Sequence, residues 1–282
     1  TKGGILMILD CHIHHNEICD TPELFAQKRR QAGVSGGILF SREPASFQNQ
    51  KARPGESENR LKDILRYTEG QPDLYPFFFI DPLEDGAMEQ VDMAVEAGIA
   101  GFKAICCHHY PQDSRAMKVW ERIAQKDKPL LLHSGILYND SPSADFNRPG
   151  NFEHLFYIDG LRFAMAHISW PWVDELIAVY GKWNYWKLEA PSTRVTAELF
   201  VDVTPGTPPI YREEALTKAL TVGYPSFPSH LLFGTDASSR YDSARVARQI
   251  QGDRTVYQKL GLTEEEQEAV FSGNLLRFLK GC

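Results

Sequence analysis

Five residues of this 282-residue chain are of types, and in places, that suit metal chemistry. His12 and His14 stand just after the apolar run 5–9, two positions apart. Side chains two apart on an extended segment point the same way, so both imidazoles can reach one ion. His133 closes the apolar run 130–132, His167 closes 163–166, and Asp236 comes shortly after 231–233. A lone histidine beside a strand is more often structural than functional. The joint placement of five such residues at strand ends is what points to a site. Imidazoles with a carboxylate suit zinc best, and also accept manganese, iron or cobalt.

For these residues to meet, the elements that carry them must open onto one face. Short apolar runs recur at 5–9, 37–40, 75–80, 101–105, 130–132, 163–166, 185–188 and 231–233, each read as a strand. Helix-period segments lie between them. One opens at Thr21-Pro22, one covers 88–97 and stops at Gly98, one covers 117–125, and one runs from Trp172 to Tyr180 and stops at Gly181. Eight near-continuous apolar strands alternating with helices suit a closed parallel (β/α)8 TIM barrel, an α/β fold, as a single domain over 1–282. An open doubly wound sheet is the rival, but no Gly-rich dinucleotide fingerprint follows the first strand. In a barrel all strand C-termini share one face, and active sites form there. The stretches 139–151 and 205–209 read as long loops that could wall a pocket.

Composition narrows the function. Thirty basic against 37 acidic residues give a net charge of −7, which argues against a nucleic-acid binder. Cysteines at 11, 19, 106, 107 and 282 form no disulfide framework, so a reducing, cytoplasmic setting is expected. The run 5–9 is far shorter than the ~20 residues a bilayer span requires and has no cleavage site behind it, so neither a membrane partner nor export is expected.

The motifs resemble those of a known family. Asp10-Cys11-His12-Ile13-His14, Gly101-Phe102-Lys103, Leu132-His133-Ser134-Gly135, Ala166-His167 and Phe233-Gly234-Thr235-Asp236 are similar to the amidohydrolase superfamily. Arg148-Pro149-Gly150-Asn151-Phe152, the stretch from His167 through Trp170-Pro171-Trp172 to Glu175, and Gly273-Asn274-Leu275-Leu276-Arg277-Phe278 resemble one branch of it. That branch is the amidohydrolase-related metal-dependent hydrolases, which include aminocarboxymuconate semialdehyde decarboxylase. The resemblance implies a single divalent ion, Zn2+ first, held by His12, His14 and His133. Asp236 would be a fourth ligand or the base, and His167 would face substrate or a second metal. It also places Lys103 where some superfamily members carry a carboxylated, metal-bridging lysine. The alternative for Lys103 is a positive charge that orients an anionic substrate.

Other residues carry weaker expectations. Arg148, in the long segment after His133, could grip a substrate carboxylate through two parallel hydrogen bonds. Cys106-Cys107-His108-His109 reads as two small buried thiols and a polar loop, with His108 or His109 touching substrate as the sharper option. Cys11 should point away from the metal, because strand neighbours alternate faces. Glu189, after the expected seventh strand, is a candidate partner for a ligand. Trp170, Trp172, Trp183 and Trp186 are expected in the core or a lid. Two classes of function follow: a metal-dependent hydrolase of a small organic acid, lactone or amide, with a metal-dependent decarboxylase as runner-up, or a metal-free barrel that only binds. The hydrolase needs only groups the motifs already supply. Its expected partner is a small, anionic substrate, and self-association into a homo-oligomer is left open.

Overall fold

Segments apolar on both faces become strands that helices can cover on one side and a lumen on the other. A computed structural model describes residues 7–281 except 49, 52 and 207. Its strands are β1 (Leu9–His14), β2 (Gly36–Phe40), β3 (Leu74–Phe79), β4 (Gly101–Ala104), β5 (Leu130–Leu132), β6 (Arg162–Met165), β7 (Glu198–Asp202), β8 (Leu231–Leu232) and β9 (Ala237–Ser238). All pair in parallel, in the order β8-β7-β6-β5-β4-β3-β2-β1-β9. β8 and β9 are the two halves of one interrupted eighth strand: the first pairs with β7, the second with β1, and Cys11 N donates to Phe233 O at 2.9 Å. The sheet thus closes on itself as a TIM barrel.

Helices α1 (Pro22–Gln31), α2 (Glu56–Thr68), α3 (Ala87–Glu96), α4 (Ser114–Gln125), α5 (Val173–Asn184), α6 (Pro209–Thr221) and α7 (Ser243–Lys259) lie outside. Thr21 caps α1 through its hydroxyl, with Pro22 at the first helical position, as the sequence indicates. Helix residues Phe25, Ile64, Val91, Trp120 and Leu176 bury against the outward faces of the strands. Inward faces supply a second core: Leu9, Phe40, Phe77, Leu131 and Phe200 meet Leu275 and Phe278 of the last helix. After α8 (Glu264–Glu268), that helix, α9 (Asn274–Lys280), sits under the N-terminal ends of the strands, where Arg162 Nε donates to Phe278 O at 2.9 Å. The last helix thus plugs the bottom of the barrel, opposite the C-terminal mouth.

Three expectations are corrected. The first strand is Leu9–His14 rather than 5–9, of which 5 and 6 lie outside the described residues, so His12 is within the strand and His14 at its end. Residues 185–188 are not a strand: Tyr185–Glu189 is a π-helical turn extending α5, with Tyr185, Trp186 and Leu188 about half exposed. An aromatic helix end facing solvent reads in sequence like a strand. The true seventh strand, Glu198–Asp202, is buried but carries an acid at each end, which disguises it. Nor does α5 stop at Gly181, where a Cβ would fall 2.1 Å from Tyr224 Oη. Glycine is there for close approach, not to end the helix.

The described cysteines, Cys11, Cys19, Cys106 and Cys107, are free thiols. Among the described residues no helix is long and apolar enough to cross a membrane.

Candidate metal centre

β1 positions the first two imidazoles. Its pairing with β2 shifts register between Asp10 and Ile13, a local bulge that breaks strict face alternation. Leu9 and Cys11 face the lumen below the shift, whereas Ile13 packs in the outer core above it. His12 and His14 consequently turn to the mouth, with their Nε2 atoms 3.1 Å apart. Cys11 therefore does not point away. Its thiol lies in the lumen layer beneath the pair and contacts Leu232 O at 3.9 Å.

Asp236 completes the group. It follows the interruption of the eighth strand and holds φ 53°, a left-handed conformation in which strain is stored. Its Oδ1 lies 3.3 Å from His14 Nε2 and 3.7 Å from His12 Nε2. The ligand atoms of His12, His14 and Asp236 all fall within 4.8 Å of one another. Burial pushes the Asp236 carboxyl up, but the hydrogen bond with His14 and the imidazoles of His12 and His167 hold it well below the usual carboxylate range. Burial drives His12 well below the ordinary imidazole value, helped by the Lys103 charge. A neutral His12 imidazole opposite an ionised Asp236 carboxylate suits a divalent ion.

The other expected residues stand around this trio. His133 falls outside the 4.8 Å group; its ring packs on His167 at 4.8 Å between centroids, and His167 packs on His12 at 4.9 Å. His133 Nε2 and His167 Nδ1 are buried with no hydrogen-bond partner among the described residues. Such orphans are rare unless a ligand uses them. Burial brings His167 down to about 3, reinforced by His12, so its ring is neutral at physiological pH. The turn carrying it is strained: His167, Ile168 and Ser169 all have positive φ (61°, 46° and 53°), rare for a β-branched residue such as Ile168. It is held by a 2.7 Å hydrogen bond between Ser169 and Ser134, and by Gly206, where a Cβ would lie 2.7 Å from His167 Cβ.

Lys103 is fully buried on β4, and its Nζ has no hydrogen-bond partner among the described residues, resting 5.0 Å from the centroid of Phe40. Burial brings its ammonium down to about 8, against the opposing charges of Asp202 and Asp236. Arg148 is not brought to this group: Nη2 binds Glu175 Oε2 at 2.6 Å, and the guanidinium stacks over Trp172. Glu189 accepts from Asn184 Nδ2 at 2.6 Å at the end of the α5 extension, and among the described residues it pairs with none of the candidate metal ligands.

Two acids have roles that residue type alone does not announce. Asp202, fully buried at the end of β7, places Oδ2 2.6 Å from His12 Nδ1, while Oδ1 accepts from Thr204 N at 2.6 Å and from Thr204 Oγ1. Three donors around one group fit an ionised carboxylate, which fixes the His12 tautomer and leaves Nε2 free for a metal. Asp10 accepts from His12 N and Thr235 N, both at 3.0 Å, and from Thr235 Oγ1 at 2.5 Å, tying the first strand to the eighth beside both ligand segments. The available signal for Asp202 was Leu199-Phe200-Val201 ending in an acid, the same pattern as at the other strand ends.

His14 also lines a cavity of about 680 Å³, formed by the loops after β1 and β2. Four cations reach it: Arg42, Lys51, Arg53 and Arg60. Arg42 pairs with Glu17 and Asp63, and Arg60 with Glu56. Lys51 and Arg53 are exposed and have no ion-pair partner among the described residues.

No curated protein matches the sequence. Among solved structures, 5-carboxyvanillate decarboxylase from Novosphingobium aromaticivorans, complexed with manganese and 4-hydroxy-3-methoxy-5-nitrobenzoic acid, superposes at TM-score 0.63 with 10% identity, covering 99% of this chain and 96% of that one. A protein described as a probable 2-pyrone-4,6-dicarboxylic acid hydrolase from Acinetobacter baumannii, with citric acid bound, gives 0.57 at 12% identity over 98% and 99%. Dihydroorotase from Campylobacter jejuni gives 0.53 at 15% identity over 96% and 82%. Identities this low speak for the fold alone. The profile of the Amidohydrolase family, however, matches residues 9–281, from the first residue of β1 to just past the plugging helix, and the chain belongs to that family.

Proposed function

We propose that the protein is a metal-dependent hydrolase of a small, carboxylate-bearing organic acid, lactone or amide. One observation carries this: His12, His14 and Asp236 converge, and His14 also lines a cavity in which Lys51 and Arg53 have no ion-pair partner among the described residues. The donor set and the orphaned nitrogen of His133 fit a divalent cation, Zn2+ foremost, with Mn2+, Fe2+ or Co2+ tolerated. Such an ion supplies Lewis acidity, lowering the pKa of water to near neutrality and polarising a carbonyl.

The chain's own groups do the rest. Asp236, kept ionised by its imidazole neighbours, accepts the proton of the attacking water and returns it to the leaving group. His167, neutral and with Nδ1 unengaged, donates to the oxyanion that develops on the carbonyl. Lys103 adds a fixed positive charge at the lumen wall. Arg53 and Lys51 hold the substrate carboxylate, a role the sequence suggested for Arg148, whose guanidinium is engaged by Glu175. A charged hydrogen bond of this kind contributes roughly 1.5–3 kcal/mol.

The test is turnover of a panel of carboxylate-bearing lactones and amides in 18O-labelled water by the metal-loaded protein. Labelled oxygen in a new carboxylate supports hydrolysis. Carbon dioxide release without solvent oxygen in the product replaces the hydrolase with a decarboxylase. Binding of panel members with no turnover at any metal loading would leave a binding barrel.

A further inference from the structure

We propose that Asp81, His108 and His109 form a second divalent-metal site, for Zn2+ or a similar borderline cation, distinct from the centre at His12, His14 and Asp236. Asp81 lies just beyond β3, and the two histidines lie on the loop beyond β4, so adjacent strands bring them together at the same mouth. One ligand atom from each falls within 4.8 Å of the other two. Asp81 Oδ2 stands 3.2 Å from His108 Nε2. Two ligands bound at ~2.0–2.1 Å in tetrahedral geometry stand about 3.3 Å apart, which matches that spacing.

An ordinary ion pair would account for Asp81 and His108 but not for His109. That imidazole is only 4% exposed, and neither ring nitrogen has a hydrogen-bond partner among the described residues. Buried imidazoles are nearly always paired, so two orphaned nitrogens beside a carboxylate mark a ligand position. Gln112 Oε1, also buried and unpartnered, lines with His108 and His109 a cavity of about 380 Å³ that gives an ion access and room for water. Cys107 Sγ lies 3.0 Å from His108 Nδ1, so Nδ1–H can donate to sulfur and Nε2 is left as the ligand atom. Among the described residues no hydrogen bond or ion pair links this group to the first centre, so it does not rest on the hydrolase reading. Its effect would be to clamp the loops after β3 and β4 to one another.

Zinc titration of the stripped full-length chain, read by equilibrium dialysis and elemental analysis, tests this. Wild type should bind two equivalents, His108→Ala/His109→Ala one, His12→Ala/His14→Ala one, and the fourfold variant none. Retention of wild-type stoichiometry by His108→Ala/His109→Ala overturns the proposal, as does loss of all zinc in His12→Ala/His14→Ala. A single wild-type equivalent that disappears only in His108→Ala/His109→Ala would support this site and refute the other. Should the double variant unfold, Asp81→Asn keeps the side-chain shape and should weaken one equivalent at least tenfold. Two undiminished equivalents in that variant would overturn the assignment.

Discussion

Replacing Asp202 by Asn separates orientation of a metal ligand from simple filling of the barrel. In the structure Asp202 Oδ1 accepts from Thr204 N and Oγ1, so an asparagine there must keep its oxygen on that side. Its Nδ2 then occupies the position of Oδ2, 2.6 Å from His12 Nδ1, and meets that nitrogen as a donor. Relief requires His12 to carry its proton on Nε2, the atom that faces His14 Nε2 and Asp236. A protonated nitrogen cannot ligate. Losing the partner of a ligating histidine costs 10–100-fold in metal affinity, or about 1.4–2.7 kcal/mol at 1.36 kcal/mol per decade. Asp202→Asn should reach or exceed the upper end, because it enforces the wrong tautomer. Asp202→Ala, which only removes an acceptor, should stay near the lower end. The assay is competition for Zn2+ against a chromogenic chelator, with thermal unfolding of the metal-free proteins as a control for folding. Equal affinities in wild type and Asp202→Asn, or a larger loss in Asp202→Ala than in Asp202→Asn, would refute the reasoning.

Three further outcomes are expected. Gly206→Ala drives a methyl into His167 Cβ, so unfolding should show a loss of about 1–3 kcal/mol and turnover should fall with it; a variant as stable and active as wild type would remove the packing role. Arg53→Ala should raise KM for an acidic substrate about 10–100-fold with kcat little changed, while Arg148→Lys and any neutral analogue show much less. His230, buried beside Trp183 and Phe200, is brought down to about 4 by burial, against the Ser226 carbonyl that favours its proton. The unfolded chain therefore binds this proton first, and stability is lost as pH falls below about 6.5, the loss being complete below about 4. Urea unfolding at pH 7 and pH 5 should show His230→Gln shedding about 2 kcal/mol less than wild type over that interval; an unchanged difference would contradict it.

The sequence alone determined the alternation of strands and helices, the closed parallel barrel, and the rule that His12, His14, His133, His167 and Asp236 meet at one mouth. Those conclusions need only local information: apolar runs of strand length, caps such as Thr21-Pro22, and the geometric fact that parallel strands end on the same side. Tertiary structure decided which strand ends count and how closely their side chains meet. Residues 185–188 carry the aromatic signature of a strand, but packing of Tyr224 against Gly181 lets α5 run on through them. The seventh strand position, and with it Asp202, passed to a segment whose terminal acids obscured its apolar centre. The lumen-facing side of Cys11 likewise follows from a register shift set by the neighbouring strand, which no period-2 reading of β1 can contain. Arg148 and Arg53 are alike as residue types; only the folded chain gives one of them a glutamate and leaves the other facing a cavity beside His14. Residue chemistry is written locally, whereas the availability of a charge depends on which partners the fold brings within reach.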